Sequence, residues 1–167
     1  MHDKVTEKDI RRMKEEVRHR ILVVRKEALL KVQEARAHGD LSENFEYKAA
    51  KQYKNQNESR IRYLEKMIRT AIIISEDSVS DEVGLNNLVT VFVPEDNEEI
   101  IFKIVTTVRS NSTQGLISID SPMGKALLHH KVGDNVLVRI SENYEYEVII
   151  RNIEKLEDDG SDELRKF

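Results

Sequence analysis

Apolar residues recur through the first part of the chain in steps of three, four and four: Ile10, Met13, Val17, then Ile21, Val24, Ala28, then Val32 and Ala35. This eleven-residue period, about 3.67 residues per turn, keeps an apolar seam on one side of a nearly straight or slightly right-handed pair of helices. A second segment repeats the spacing at Ala50, Tyr53, Asn57, Ile61, Leu64, Ile68 and Ile72, with Asn57 its single polar member. Only His38-Gly39-Asp40-Leu41-Ser42 separates the two seams, and Gly39 is placed to end the first helix. The pattern predicts an antiparallel helical hairpin over residues 1–75. At 1.5 Å per residue, a first arm of about 30 residues extends about 45 Å.

Beyond the hairpin the period disappears. Ala71-Ile72-Ile73-Ile74 closes it, and residues 76–87, rich in Ser, Asp, Glu and Asn, read as a linker. Leu88–Val93 and Ile100–Val108 are β-branched runs flanking Pro94-Glu95-Asp96-Asn97, a combination that predicts a β-hairpin. Leu116–Ile119, Val136–Ile140 and Tyr144–Ile153 are further strand candidates, and Pro122–His130 is a short helix begun by Pro. Residues 88–156 are therefore a small α+β domain. Residues 157–167, polar and acidic without a period, are expected to be frayed or disordered.

The chain has no cysteine, which excludes disulfides and thiolate metal sites, and its N-terminus has no apolar run of signal-peptide or membrane-span character. A soluble cytoplasmic monomer is expected. The formal charge of −4 conceals an asymmetry. Residues 1–75 carry 18 Lys+Arg against 12 Asp+Glu, net +6, and the remainder carries 9 against 19, net −10. A basic helical half suits proximity to nucleic acid or to an acidic protein surface, although such charges also simply solvate a long helix. The acidic half argues against broad contact with phosphates.

Asp40 and Glu43 stand three residues apart where the second helix begins. Asp-x-x-Glu before a helical run fits a capping box, in which Asp40 accepts backbone N–H bonds and Glu43 reaches back. The alternative is that the pair holds a divalent cation. Two carboxylates are too few for a tight all-protein Mg²⁺ site, so the remaining ligands would come from elsewhere, as they would if the hairpin entered another enzyme's active centre.

The segment Glu34-Ala35-Arg36-Ala37-His38-Gly39-Asp40-Leu41-Ser42-Glu43-Asn44, followed by Glu46-Tyr47 and Ala49-Ala50-Lys51, resembles the tip signature of Gre transcription elongation factors, of the GreA type. The resemblance continues through Arg60-Ile61 and Leu64-Glu65, and returns at Gly115-Leu116-Ile117-Ser118, Asp120-Ser121-Pro122-Met123-Gly124-Lys125-Ala126-Leu127 and Lys131-Val132-Gly133-Asp134. It implies a coiled-coil hairpin that enters the secondary channel of bacterial RNA polymerase and an FKBP-like domain that docks outside, through Asp120, Ser121 and Pro122. Asp40 and Glu43 would then hold a Mg²⁺ jointly with the polymerase, none being tightly bound by this protein alone. The factor would stimulate the polymerase's cleavage of nascent RNA in backtracked complexes, as a protein cofactor rather than a free-standing enzyme. Ser42, Asn44, Glu46 and Tyr47 would support the tip. The alternative is a Gre-like inhibitor that occupies the channel without promoting cleavage.

The chain also departs from that pattern. Asp9 and Lys26 replace a Gly and a Pro of the first helix, and Phe45 stands where a small residue is usual. Val105-Thr106-Thr107 and Arg109-Ser110-Asn111-Ser112 lack the common Gly and the acidic group beyond it, and His129 replaces a Gly. His129 and His130 are adjacent and would project about 100° apart on a helix, poorly placed to share a metal. Without Trp and with few aromatics, the second domain is not expected to have the proline pocket of an isomerase.

Overall fold

The computed structural model describes residues 2–39 and 44–166. They form two compact units: Asp9–Ala71, and a second unit that combines Asp3–Lys8 with the chain from Ile72 onward. No described helix is long and apolar enough to cross a membrane.

The first unit is a helical hairpin. Its first arm runs through α1 (Glu7–His19), a π-helical turn (Arg20–Val24) and α2 (Arg25–Ala37), with right-handed helical dihedrals at the junction residues His19, Val24 and Arg25. The arm ends where His38 leaves the helix and Gly39 takes a φ of +115°, a value that a residue with a Cβ resists. The second arm is α3 (Phe45–Thr70). Met13, Ala28, Ala35, Ala50, Ile61 and Leu64 are buried along the seam, and the small alanines let the backbones approach. Two seam positions differ from expectation. Tyr53 is 38% exposed, its ring beneath the Lys31 ammonium at 4.6 Å. Ile72 has left the helix altogether.

The hairpin ends at Thr70 because the β-branched run that follows prefers extended backbone. Ile72–Ile73 form β2, parallel to β1 (Lys4–Val5), with Ile72 N–H donating to the Asp3 carbonyl at 2.9 Å and Ile74 N–H to that of Val5 at 2.8 Å.

The larger sheet contains β3 (Leu88–Val93), β4 (Glu98–Val105), β5 (Leu116–Ser118), β6 (Asn135–Ser141) and β7 (Tyr144–Glu154). Their order is β5-β4-β3-β7-β6, antiparallel except for the β4–β5 pair. Val89, Val91 and Val93 alternate inward from β3 and pack with Phe102, Ile104, Val138, Val148, Ile150 and, from the short helix α4 (Pro122–Leu127), Leu127. The α+β class therefore holds.

Three boundaries are corrected. Residues 82–87 are part of this core rather than a linker: Val83 and Leu85 are buried, and Asn87 Oδ1 accepts from Gly84 N–H at 2.7 Å. Their Asn residues are polar by composition but serve a turn, with Asn86 at a φ of +68°. The short helix stops at Leu127, because Leu128 turns out of it at a ψ of 135° and His129 follows at a φ of +68°, incompatible with continuation. Residues 157–166 lack regular structure, yet they are held. Arg109 is completely buried, its Nη1 3.1 Å from Asp162 Oδ2 and 3.9 Å from the buried Asp158 carboxylate. Lys103 Nζ reaches Asp162 at 2.9 Å, and Arg165 N–H donates to the Val108 carbonyl at 2.6 Å. A buried guanidinium requires partners, and the acidic tail supplies them.

Candidate functional site at the hairpin end

The signature residues occupy the end of the hairpin. Asp40, Ser42 and Glu43 lie outside the described residues, between Gly39 and Asn44. The residues on either side define how the arms are joined there.

Asn44 is the N-cap of α3. Its backbone is extended and its Oδ1 accepts from Tyr47 N–H at 3.0 Å, satisfying one of the donors that a helix start leaves open. Its Nδ2 donates to the carbonyl of Ala35 in the last turn of α2 at 2.7 Å. One side chain thus caps the second arm and ties it to the end of the first. The sequence suggested that the helix begins at Asp40 and Glu43, but the first helical residue is Phe45. The capping position belongs to Asn44, and the expected reach of Glu43 back to Asp40 falls outside the described residues.

Tyr47 and Arg36 form a second cross-arm contact. The guanidinium lies 5.5 Å from the ring centre and Arg36 Nη2 donates to the Tyr47 hydroxyl at 3.4 Å. This hydrogen bond, with the Arg36 charge, lowers the phenol's pKa from its ordinary value. Arg36 was visible in the signature without an assigned role; its spacing from Tyr47 becomes meaningful only once the arms are antiparallel. Glu46 is exposed in the first turn of α3, where a carboxylate complements the helix dipole. Phe45 is 81% exposed beside it, with Lys48 Nζ 5.7 Å over its ring.

Among the described residues no group of three or more His, Asp and Glu could hold a metal ion. His130 pairs with Asp134 at 3.1 Å and His129 lies 3.7 Å from Glu82, so the two imidazoles face different partners.

The suggested docking segment lies in the sheet unit. Asp120 is exposed and its Oδ2 accepts from the Thr107 hydroxyl at 3.1 Å. Ser121 is the N-cap of α4, accepting from Gly124 N–H at 3.0 Å and donating to the Ser118 carbonyl at 2.6 Å. Pro122 is exposed at the first helical turn. Gly124 is required here, because a Cβ would lie 2.1 Å from the Ser118 carbonyl oxygen. Asp120 and Pro122 are thus presented by a rigid turn, whereas Ser121 is occupied in building it. A groove of about 680 Å³ adjoins Ser121, bounded by Ser110, Ser112 and Ser118 and by tail residues Leu164 and Arg165.

The family model "Transcription elongation factor, N-terminal" matches residues 4–73, and "Transcription elongation factor, GreA/GreB, C-term" matches residues 77–155. The transcription elongation factor GreA of Syntrophotalea carbinolica is 37% identical over 147 residues, covering 87% of this chain and 93% of that protein. That of Geobacillus kaustophilus is 42% identical over 136 residues, covering 81% and 86%. Among solved structures, the GreA factor homolog 1 (Gfh1) protein of Thermus thermophilus is 30% identical, with 93% of this chain and 100% of that chain covered and a TM-score of 0.42.

Proposed function

Because the chain belongs to the GreA/GreB family of transcription elongation factors, we propose that it binds RNA polymerase and inserts its hairpin through the secondary channel, where Asp40 and Glu43 promote cleavage of backtracked nascent RNA. The observation that carries this reading is the capping of α3 by Asn44. With Tyr47 N–H satisfied by Asn44, α3 starts without needing Asp40 or Glu43 as its N-cap, which leaves a role in chemistry open to the pair.

Asp40 and Glu43 would be this chain's ligands to a Mg²⁺ completed by the polymerase. When bound, such an ion lowers the pKa of a water and offsets charge on the phosphate under attack. This chain's own contribution is to deliver two carboxylates, to keep the arms together behind them through Asn44 and the Arg36–Tyr47 pair, and to hold the factor in place through Asp120 and Pro122. Phosphodiester hydrolysis then remains a reaction of the polymerase, and the factor is a cofactor.

The test is fragment release from stalled, backtracked complexes with Mg²⁺, with and without the factor. Release of 3′ fragments only when factor and polymerase are both present supports the proposal. Metal-dependent cutting of free RNA by the factor alone contradicts it, and channel binding without release assigns the chain to the inhibitors.

A further inference from the structure

The first arm changes its geometry midway. Over Arg20–Val24 the helix widens to a π turn, closed by Arg25 N–H donating to the Arg20 carbonyl. The segment Arg20-Ile21-Leu22-Val23-Val24 contains no Pro or Gly that would impose a distortion. The partner of the turn is on the other arm. Asn57, 3% exposed in an otherwise apolar stretch of seam, donates from Nδ2 to that same Arg20 carbonyl at 3.3 Å, and its Oδ1 accepts from the Arg20 guanidinium at 3.0 Å. The guanidinium is also bonded to Glu16 at 2.8 Å, and Glu16 accepts from Arg60 of the opposite arm at 2.9 Å. Arg25, at the end of the turn, makes two bonds to Glu58 at 2.8 and 3.0 Å.

Apolar side chains in a seam accept several axial offsets at similar energy. A buried amide accepts only the offset at which both its donor and its acceptor are met, and it gives up stability for that selectivity. Here the offset is read against an irregular turn, and π turns are frequent where a helix serves a functional geometry. A slip of one residue would displace one arm by about 1.5 Å relative to the other.

We propose that Asn57 is a positioning residue: its paired bonds to Arg20 fix the axial register of the two arms, and with it the relative placement of Gly39 and Asn44, between which Asp40 and Glu43 lie. The consequence for cleavage rests on the function proposed above; the register itself does not.

The experiment uses the full chain carrying Asn57→Leu, with Arg20→Met as a second variant. Since the chain has no cysteine, nitroxide labels at Leu30→Cys and Lys51→Cys, both exposed positions on opposite arms, report the inter-arm distance. Asn57 should give one narrow distance distribution, and both variants a shifted or broadened one, with helical circular dichroism retained and the melting temperature of Asn57→Leu equal or higher. At saturating factor, fragment release should fall about 10- to 100-fold, the scale of an ångström-size misplacement, while half-saturation for polymerase stays within about twofold. An unchanged distance distribution overturns the proposal, whether or not release falls. So does loss of helix in Asn57→Leu, which would make Asn57 a stability element. If factor with Asn57 releases no fragments at all, the cleavage reading fails and the distance measurement still decides the register.

Discussion

Asn44 Nδ2 donates to the Ala35 carbonyl at 2.7 Å, so the residue that starts the second arm also closes the end of the first. Asn44→Ala removes both this bond and the cap and is expected to destabilise the hairpin by about 1–2 kcal/mol. Asn44→Asp keeps a capping acceptor but cannot donate to Ala35, and should lie between the two. Thermal melts of the three proteins check the order; an alanine variant as stable as the parent would remove Asn44 from this role.

Glu16 provides a pH signature. Burial pushes its carboxyl upward, but the hydrogen bonds from Arg60 and then Arg20, with their charges, prevail and leave its pKa below the ordinary value. A depressed carboxyl pKa means that the unfolded chain binds the proton more tightly, so the contribution is fully present above the unfolded pKa and is lost as pH falls through the folded one. Glu16→Gln should therefore lower the melting temperature at neutral pH and converge with the parent as the pH falls below the ordinary carboxylate range. A constant difference across that range would contradict the assignment.

Arg109 is buried against Asp158 and Asp162. Removal of residues 157–167 leaves the guanidinium without these acids and is expected to cost the sheet unit about 3–5 kcal/mol, as for other broken buried pairs. Urea unfolding followed by a probe in that unit measures it. A tail that merely frays would change stability by less than about 0.5 kcal/mol.

His129 occupies left-handed backbone at a φ of +68°, where a side chain costs about 1–2 kcal/mol. Gly there is expected to relieve the strain and, after its larger unfolded-state entropy, to raise stability by up to about 1 kcal/mol. The His129–Glu82 contact is 3.7 Å with the His side chain 80% exposed, too weak to reverse the sign. A His129→Gly protein that melts below the parent would show otherwise.

The hairpin was legible because burial on a helix repeats with a fixed period, and Met13, Ala28, Ala35, Ala50, Ile61 and Leu64 are the buried members of the two seams. Asn57 stood out in that period, but the π turn did not, since its partner is 37 residues away on the other arm. The start of α3 is not legible because Asp40 and Asn44 are both good N-caps by residue type, and it is the extended backbone of Asn44, with its bond from Tyr47 N–H, that marks it as the cap. The acidic tail resembled a solvated segment because its partner Arg109 is 53 residues from Asp162. Residues 82–87 read as a linker for a related reason, since Asn at a turn and Asn in a linker have the same composition.

The central claim is that Asp40 and Glu43 act as charged ligands rather than as structural caps. Asp40→Asn and Glu43→Gln nearly preserve size and hydrogen-bonding capacity, so a capping role predicts stability changes of less than about 1 kcal/mol and unchanged cleavage. A neutral amide is a poorer Mg²⁺ ligand, so a metal role predicts loss of cleavage by orders of magnitude with polymerase binding retained. The measurement is fragment release from backtracked complexes at saturating factor, beside a binding curve and a thermal melt. Release reduced at least about 100-fold in both variants, with parent-like binding and melting, is the predicted result; release at the parent rate would contradict it.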